Sequence, residues 1–377
     1  MITDMGSCLI PNDLYHQAFN AIQRGYVGEG LVSAEFLRLF SSELKVPAGR
    51  LVLTDSATSG LFAAVGAAGV SGKDVVLPSV CYNGCLHAVL AAGGRPVLCD
   101  VNPASLNVNP ATVTAALTED TRLVIVQHHG GAACDSELVQ GILPPGVLLL
   151  EDAATALATT LPRNSPYRAG VVGDFGVWSF GPVKQISTPS GGAVYCRTAE
   201  HAAAVRSATQ RGMGAQNQMN VASDWWVADV NTFGYRSSWN DVAAGMAIPQ
   251  IARLRKNSER LVSLYRRYRA WRGEWIPTLP NGSVPTFCPF SVPDGRRDDL
   301  LRFLRANGVY ATFRYWPLHR TTLFKRLLAE GKALIPAPLT NSDLAADTVV
   351  NLPLHPKLSD GDVDRVCELV DSFLVNP

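Results

Sequence analysis

The most informative stretch of the chain is residues 146–184, GVLLLEDAATALATTLPRNSPYRAGVVGDFGVWSFGPVK. It contains two apolar runs, residues 147–150 and 176–180, each bounded by glycine or charged residues. Runs that are apolar throughout, rather than at every second position, are typical of strands buried on both faces. The stretch therefore predicts two neighbouring strands of a parallel sheet, one ending in two carboxylates and the other leading to a lysine.

Five further apolar runs flank this stretch, and alanine-rich segments of helical length separate several of them. The runs are LVLT (51–54), DVVLP (74–78), RPVLCD (95–100), RLVIVQ (122–127) and GGAVYC (191–196). Strands that alternate with helices indicate an α/β fold, because parallel strands need crossover connections that cover the sheet. We predict a large domain with a mostly parallel central sheet over residues 1–250, in which residues 1–25 form an N-terminal arm.

The last third of the chain has a different pattern. A basic amphipathic segment from Pro249 to Trp271 predicts a helix that connects two domains. The segment 298–308, DDLLRFLRANG, predicts a helix that ends before Gly308, and Ser359 with Asp362 three residues later predicts the capped start of a final helix. Residues 251–377 therefore predict the connecting helix and a smaller α+β domain.

Charge and composition exclude several classes of function. The chain has 377 residues with 33 Lys or Arg and 32 Asp or Glu, and this net charge of +1 gives no field that would gather nucleic acid or anionic lipid. The sequence has neither a membrane-length apolar run nor a signal-peptide pattern, so we expect a cytoplasmic protein. The eight cysteines form no CxxC pair, which favours reduced thiols and no metal site.

Two polar clusters lie at predicted strand ends, where open α/β sheets bind their ligands. Ser56, Thr58 and Ser59 stand between a strand and a helix, where hydroxyls and N–H groups bind a phosphate or simply cap the helix. Glu151 and Asp152 end a strand and point to opposite sides, so one of them faces a pocket unless the pair only caps a helix.

A third feature is Lys184, which follows a strand and a Gly-Pro turn, with Ser179 five residues before it. It is either an ordinary solvated lysine or an amine held in a pocket to form a Schiff base. The order of the features favours the second interpretation. A phosphate-type loop, the aromatic Tyr82, the strand-end Asp152 and then Lys184 supply the phosphate anchor, ring contact, pyridinium partner and linking lysine of a pyridoxal phosphate site.

The sequence resembles the DegT/StrS family of pyridoxal-phosphate-dependent sugar aminotransferases, from Gly25 to the C-terminus. The stretches that carry the resemblance are GYVGEGLVSAEFLRLF, SATSGLFAAV, PSVCYN, GGRPVLCDVNPASLNVNP, HHGGAACD, EDAATA, GDFGVWSFGPVK, GYRSSWNDVAAGMAIPQIARL, RYWPLH and VVNLPLHPKLSDGDVDRV. The resemblance implies an aspartate-aminotransferase-like fold (fold type I) and a homodimer with active sites at the subunit interface. It also implies transfer of an amino group from an amino acid, commonly glutamate or glutamine, to a keto sugar, a nucleotide-linked keto sugar or a related polyhydroxylated ketone in a biosynthetic pathway.

The family's functional residues carry over to particular positions of this chain. The resemblance makes Lys184 the lysine that links to the cofactor and moves the substrate proton, and Asp152 the partner of the pyridine nitrogen. The other cofactor contacts that it implies are Thr58, Ser59 and Ser179 at the phosphate, Tyr82 on the ring, Thr155 near the phenolic oxygen, and Arg236 at the subunit interface. His319 in WPLH matches a family histidine near the active site, and His128 is a candidate substrate contact because it ends a strand beside His129.

The chain also departs from the family pattern. The family usually has Gln or His at the position of Thr155, and in its GYNYR stretch Arg236 replaces the Asn and Ser238 replaces the Arg. Arg236 then either pairs with the phosphate or is an altered substrate contact. Gly130 stands where a nearby Tyr is usual, which predicts extra open space. These changes indicate a substrate other than the commonest nucleotide sugars.

Two alternatives remain at this point. Relatives that dehydrate sugars have His in place of the lysine, so the presence of Lys184 argues against that reaction. A non-catalytic regulatory protein with the same fold would need neither Lys184 nor Asp152, which disfavours the second alternative.

Overall fold

The structure is a computed structural model that describes residues 14–213 and 229–375. The helices are α1 Leu14–Gln23, α2 Leu31–Leu44, α3 Ala57–Ala67, α4 Asn83–Ala91, α5 Pro110–Thr114, α6 Ser136–Gly141, α7 Ala199–Thr209, α8 Asp241–Arg272, α9 Arg297–Ala306, α10 Thr322–Ala329, α11 Thr340–Thr348 and α12 Asp360–Val375. The strands are β1 Leu51–Thr54, β2 Asp74–Pro78, β3 Arg95–Cys99, β4 Thr121–Gln127, β5 Leu148–Asp152, β6 Phe175–Ser179, β7 Gly192–Cys196, β8 Cys288–Ser291 and β9 Val349–Leu352. The first half of the predicted N-terminal arm and Cys8 lie outside the described residues.

Strands β1 to β7 form one sheet in the order β1-β7-β6-β5-β4-β2-β3. β7 is antiparallel to both of its neighbours, and the other pairs are parallel. All seven predicted apolar runs are strands of this sheet, and β1 and β2 are buried along their whole length. The prediction of an α/β fold with a mostly parallel central sheet is confirmed.

The register of the sheet brings the predicted site residues to one edge. Gln127 at the end of β4 pairs with Asp152 at the end of β5, and Asp152 pairs with Val177 of β6. The start of β7 lies directly against the N-terminus of α3, because a Cβ atom at Gly192 would lie 2.5 Å from the Ala57 nitrogen. The carboxyl ends of β4, β5 and β6 and the first turn of α3 therefore surround one space.

Helix α8 starts eight residues before the predicted start at Pro249. The Asn240 side chain caps it by accepting a hydrogen bond from the Ala243 N–H at 2.9 Å, and Pro249 lies inside the helix. Pro249 has no N–H to bond to the preceding turn, but the neighbouring Gln250 Nε2 donates to the Met246 carbonyl at 2.9 Å. The sequence predicted a helix start at Pro249, but the capping Asn240 determines where α8 begins.

Gln250 also connects α8 to the loop after β6. Its Nε2 donates to the Ser187 carbonyl at 2.7 Å, and its Oε1 accepts from the Ser187 N–H at 2.9 Å. Ser187 Oγ in turn donates to the carbonyl of Lys184 at 2.7 Å. The loop that carries Lys184 is therefore anchored to α8 through a buried amide.

The C-terminal part contains an antiparallel pair of strands, β8 and β9, with α9, α11 and α12 beside it. Ser359 and Asp362 form the predicted cap of the last helix: the Ser359 N–H donates to Asp362 Oδ2 at 2.9 Å, and the Asp362 N–H donates to Ser359 Oγ at 3.1 Å. The predicted domain boundary at residue 250 falls inside α8, and the division into two domains stays a prediction.

A buried carboxylate holds the turn before α2. Asp241 Oδ1 accepts hydrogen bonds from the Gly30 and Ser33 N–H groups at 2.8 and 2.9 Å and from Ser33 Oγ at 2.7 Å, while Oδ2 accepts from the Val32 N–H at 3.2 Å. Burial alone would raise the pKa of Asp241, but the donors from Ser33, Gly30 and Val32 outweigh it and hold the pKa below its ordinary value. The carboxylate thus supplies acceptors to N–H groups that the first turn of α2 leaves without partners.

We expect Asp241→Asn to lower the free energy of unfolding by about 2 kcal/mol at pH 7, because an amide leaves some of these donors unpaired. The folded-state pKa is depressed, so this stabilisation is present above an unfolded pKa of about 3.9 and is lost as pH falls through the folded value. Urea unfolding at pH 7 and pH 3 measures both effects. Asp364→Asn, which breaks a surface ion pair with Arg267, is the control and should change the midpoint little; an equal deficit of Asp241→Asn at both pH values would contradict the prediction.

Within residues 14–213 and 229–375, none of the helices is both long and apolar enough to cross a membrane. Seven of the eight cysteines lie in the described part of the chain, and all seven are buried and without a disulfide bond.

Candidate active site

A cavity of about 360 Å³ lies at the carboxyl end of the central sheet. The predicted site residues that line it are Thr58, Tyr82, Asp152, Thr155, Ser179 and Lys184. They come from the ends of β5 and β6, the start of α3, and the loops that precede α4 and follow β5 and β6. The structure therefore brings together six side chains that span more than a hundred residues of sequence.

Asp152 is the acidic group of this cavity. It is 2% exposed, its Oδ1 accepts from the Ala154 N–H at 3.0 Å, and the Cys85 thiol donates to its Oδ2 at 3.6 Å. Burial raises the pKa of Asp152, and the Ala154 N–H, the charge of Lys184 and the Cys85 thiol oppose the rise. A cationic group bound against this carboxylate would oppose it further, because an opposite charge favours the ionised form.

Glu151 points to the other side of the sheet, as the alternation along a strand predicts. Its Oε1 accepts from the Val172 and Gly173 N–H groups, each at 2.7 Å. His128 Nδ1 accepts from the Cys134 N–H at 3.1 Å, so His128 Nε2 carries the hydrogen and donates to Glu151 Oε2 at 3.0 Å. Burial alone would raise the pKa of Glu151, but His128 and the backbone donors hold it below its ordinary value.

Lys184 lies in the turn after β6. Its N–H donates to the Gly181 carbonyl and to Ser187 Oγ, both at 3.1 Å, which closes the turn. The residue is half-buried, but its amine lies among protein atoms, and this burial lowers the pKa of Lys184 to about 8. The charge of Arg314 acts in the same direction, while Asp152 opposes both. A lowered pKa raises the fraction of neutral amine near neutral pH well above that of an ordinary lysine, and the neutral amine is the nucleophilic form.

The first turn of α3 supplies hydroxyls and N–H groups to the cavity. Ser56 caps the helix by accepting from the Ser59 N–H at 3.1 Å, and Thr58 Oγ1 lies 3.2 Å from the Tyr82 hydroxyl. Ser59 points away from the cavity, because its hydroxyl donates to Asp55 Oδ1 at 2.5 Å. Ser56, which the sequence interpretation treated as part of the loop but did not name as a site residue, lines the cavity together with Thr58.

Four predicted site residues are not among the residues that line the cavity in the described part of the chain: Ser59, His128, Arg236 and His319. His128 is fully buried, and the hydrogen bonds given above occupy both of its ring nitrogens. This position does not match the expected contact with substrate, because the ring faces Glu151 instead of the cavity. Arg236 is exposed, and its backbone pairs with Gln210.

His319 is held by two side chains outside the cavity. Its Nδ1 lies 2.6 Å from Ser79 Oγ, and its Nε2 lies 3.0 Å from Asp343 Oδ1. The Leu318 N–H also donates to the Ser79 carbonyl at 2.8 Å. His319 thus fixes the WPLH segment to the end of β2, directly before the loop that carries Tyr82.

The structure shows the surroundings of two residues that depart from the family pattern, Thr155 and Gly130. The Thr155 hydroxyl lines the cavity but donates to the His128 carbonyl at 3.1 Å. Gly130 does not open space: a Cβ atom there would lie 2.7 Å from the ring of Phe287, which fills the position. The expectation of extra room at Gly130 is therefore wrong, because an aromatic side chain from the C-terminal part of the chain occupies it.

The residues that line the cavity but were not predicted from the sequence include Gln127, Arg314 and Tyr315. Gln127 Oε1 is buried and has no hydrogen-bond partner in the described part of the chain. The Tyr315 ring lies 5.9 Å from the Tyr82 ring and extends the aromatic wall. Both Arg314 and Tyr315 belong to the RYWPLH segment that carries the family resemblance, but no local pattern marks them as site residues.

Known proteins are similar to this chain over nearly its whole length. The model of the DegT/DnrJ/EryC1/StrS aminotransferase family matches residues 12–371. A protein of Saccharopolyspora spinosa named dTDP-4-dehydro-2,3,6-trideoxy-D-glucose 4-aminotransferase is 29% identical over 355 residues, 91% of this chain and 89% of that protein. The structure of the aminotransferase TlmJ from Streptoalloteichus hindustanus is 32% identical with a TM-score of 0.89, covering 100% of this chain and 99% of that one.

A more distant structure shares the fold. Spr1654 from Streptococcus pneumoniae, solved in its PLP-form, is 20% identical, has a TM-score of 0.86, and covers 99% of this chain and 98% of that chain. These likenesses confirm the predicted aspartate-aminotransferase-like architecture. The chain belongs to the DegT/DnrJ/EryC1/StrS aminotransferase family.

Proposed function

We propose that this protein is a pyridoxal-phosphate-dependent aminotransferase that moves an amino group from glutamate or glutamine to a keto sugar, a nucleotide-linked keto sugar or a related polyhydroxylated ketone in a biosynthetic pathway. The observation that carries this proposal is that the buried carboxylate of Asp152 and the desolvated amine of Lys184 face one cavity. The aminotransferase family to which the chain belongs depends on pyridoxal phosphate. The S. spinosa relative is named for a nucleotide-linked keto sugar, which supports the substrate class.

The residues of the cavity fit this cofactor. Pyridoxal phosphate carries a ring nitrogen, an aldehyde, a phenolic oxygen and a phosphate, and the cavity offers a carboxylate, an amine, neutral polar groups and a helix N-terminus. Gln127 Oε1 is a buried hydrogen-bond acceptor, and no protein group in the described part of the chain donates to it. A volume of about 360 Å³ is also within the range of small-molecule sites.

When bound, the cofactor supplies an aldehyde that condenses with amines and a ring that takes up the electron pair of the bond broken at the substrate carbon. The Asp152 carboxylate would hold the proton of the ring nitrogen. Tyr82 would contact the ring, and Thr155 is the candidate contact for the phenolic oxygen. Thr58 and Ser179 would hold the phosphate, with Ser59 contributing through the α3 turn that its hydrogen bonds hold.

Lys184 has two roles in this proposal. Its Nζ would hold the cofactor at the aldehyde, and when a donor amine takes that place, the freed Nζ would act as the group that takes a proton from the donor carbon and later gives it back. A pKa of about 8 suits both directions, because a general acid–base group works best when its pKa is close to the operating pH.

The experiment that tests the function is the visible absorption spectrum of the purified protein before and after addition of L-glutamate or L-glutamine. A cofactor band that the amino donor bleaches supports the aminotransferase. Incubation of the donor-treated protein with a nucleotide-linked 4-keto sugar should then yield an amino sugar. A deoxy sugar would instead indicate the dehydratase-type reaction, and no spectral change with any amino acid would indicate a protein that keeps only the fold.

The depressed pKa of Lys184 gives a pH prediction for the protein freed of cofactor. Since only the neutral amine reacts with aldehydes, we expect reductive labelling of Lys184 by formaldehyde and borohydride to rise with a midpoint near pH 8, below the ordinary lysine value of about 10.4. Peptide mass spectrometry measures the extent, with the exposed Lys325 as the control for reagent dose. A midpoint for Lys184 above pH 10 would contradict the prediction.

We further propose a cytoplasmic homodimer in which Arg236 contributes to the phosphate site of the other subunit. The chain exposes several large apolar side chains: Phe233 is 88% exposed, Leu31 78% and Tyr26 63%. Tyr26 and Leu31 flank the turn that Asp241 binds, and exposed apolar side chains of this size are favoured at interfaces. Sedimentation equilibrium should give twice the chain mass of 40.4 kDa, and a monomer would contradict this part of the proposal.

A further inference from the structure

Arg314 lines the same cavity as Lys184 and Asp152, but the roles proposed so far do not use it. Its guanidinium lies over the ring of Phe287, 5.4 Å from the ring centroid. No carboxylate of residues 14–213 or 229–375 forms an ion pair with Arg314, whereas Arg320, six residues later, pairs with Asp343 and Asp347. Arg314 is thus a cavity cation that is held by an aromatic ring and lacks an anionic partner.

The surroundings of Arg314 fix its backbone without adding charge. Its carbonyl accepts a hydrogen bond from His129 Nε2 at 2.7 Å. Burial lowers the pKa of His129 to about 4, so this imidazole is neutral at pH 7. The Phe287 ring packs edge-on against both His129 and Tyr315, with centroid distances of 5.7 and 6.3 Å. The guanidinium therefore lies against uncharged ring side chains that pack on one another.

The charged side chains of the cavity include more cations than anions. Lys184 and Arg314 are cationic groups, and Asp152 is the one acidic side chain among the described lining residues. In the proposed function the Asp152 carboxylate pairs with the ring nitrogen of the cofactor. Arg314 is half-buried and has no carboxylate partner among the described residues, so an anion brought by a ligand would complete the site beside it.

We propose that Arg314 binds the α-carboxylate of the amino donor. This inference rests on the proposed function and names the residue that recognises its first substrate. The donor nitrogen must replace Lys184 Nζ, and in an α-amino acid the carboxylate is attached to the same carbon as that nitrogen. Arg314 and Lys184 line the same cavity, so a carboxylate one carbon from the nitrogen that replaces Nζ enters the space that Arg314 lines. Two parallel N–H groups of a guanidinium match a carboxylate in a bidentate pair.

The same geometry disfavours a phosphate of the acceptor as the partner of Arg314. A nucleotide-linked sugar carries its diphosphate on the anomeric oxygen, several bonds from a ketone elsewhere on the ring. When that ketone reaches Lys184, its diphosphate is therefore several bonds from the reacting amine. A carboxylate one carbon from the reacting nitrogen is the anion that meets Arg314.

The test compares two amines that differ in the α-carboxylate. L-Glutamate has it, while 4-aminobutyrate has the same amine and distal carboxylate without it. Single-turnover bleaching of the cofactor band gives the efficiency with each amine for the wild-type enzyme, Arg314→Gln and Arg314→Lys. Arg305→Gln is the matched control, because Arg305 is exposed and lies 5.5 Å from the ring centroid of Tyr310, outside the cavity.

We expect Arg314→Gln to lower the preference for L-glutamate over 4-aminobutyrate about 30-fold or more, since a hydrogen-bonded charge pair is lost. Its efficiency with 4-aminobutyrate should fall by a much smaller factor, because that amine has no carboxylate on the reacting carbon. Arg314→Lys, which keeps the charge without the bidentate geometry, should be intermediate, and Arg305→Gln should match the wild type. Calorimetric binding of the unreactive dicarboxylate glutarate to the holoenzyme should weaken by a similar factor in Arg314→Gln.

Three kinetic results would overturn the inference: an unchanged preference in Arg314→Gln, an equal loss with both amines, or a loss confined to the KM of the keto sugar. Tight glutarate binding by Arg314→Gln would do the same. A failure of the proposed function looks different, because the wild-type band would then be unchanged by every amino donor.

Discussion

Lys184→Ala is expected to lower turnover by on the order of 10⁴-fold or more, the largest effect of any single substitution in this chain. The variant loses the amine that binds the aldehyde carbon and also the group that moves the proton, and general acid–base catalysis alone contributes up to about 10⁴-fold. The rest of the cavity stays in place, because the Lys184 backbone makes the hydrogen bonds that close its turn. The cofactor should therefore still bind, with the absorption of the free aldehyde.

Two measurements separate this chemical effect from damage to the fold. Circular dichroism and the urea midpoint of Lys184→Ala should match the wild-type values, and a small amine such as methylamine should restore part of the proton transfer. Lys325→Ala on α10 is the matched control and should retain full turnover. Turnover of Lys184→Ala at the wild-type rate, or cofactor that stays linked to the chain after borohydride reduction, would contradict the assignment of Lys184.

Asp152→Asn is expected to lower turnover by about 10³-fold and to weaken cofactor binding. The amide has nearly the same shape, but it cannot balance the charge of a protonated ring nitrogen, and removing one partner of a buried charged pair costs about 3–5 kcal/mol. The same substitution removes the negative charge that raises the pKa of Lys184, so the labelling midpoint of Lys184 should fall further below pH 8.

The neighbouring carboxylate offers a matched control for Asp152. Glu151→Gln removes a charge one residue away on the other side of the sheet, where Glu151 binds His128 and two backbone N–H groups. It should lower the free energy of unfolding by about 2 kcal/mol while the folded fraction keeps its cofactor affinity. If Glu151→Gln lost the cofactor and Asp152→Asn kept it, the two carboxylates would have been assigned to the wrong sides.

Much of the fold can be predicted from the sequence because its strands carry a local signal. Each of the seven strands is a short apolar run bounded by polar or glycine residues, and burial on both faces requires that pattern. The order of the strands in the sheet cannot be predicted from any single segment, because it depends on which face of the sheet each connecting helix crosses. The start of α8 was misplaced because proline is a common first residue of a helix, whereas here Asn240 caps a helix that continues through Pro249.

The same distinction applies to the site. Asp152, Ser179 and Lys184 were predictable because they follow strands whose ends share one edge of the sheet. Arg314 was not, since it lies in a segment without regular structure that reaches the cavity only through contacts such as the Leu318 N–H with the Ser79 carbonyl. Phe287 fills the position beside Gly130 from more than 150 residues away, so no reading of the HHGG stretch alone would find it.

Helix α8 connects two distant parts of the molecule and fixes the angle between them around the helix axis. Asp241 in its first turn binds the turn before α2, and Gln250 binds the loop of Lys184. The rise of an α-helix places these two residues about 13 Å apart along one rod. One residue inserted between them would rotate Gln250 by about 100° around the axis and turn it away from Ser187. The number of residues between Asp241 and Gln250, which lie outside the cavity, therefore determines where the loop of Lys184 holds the reactive amine.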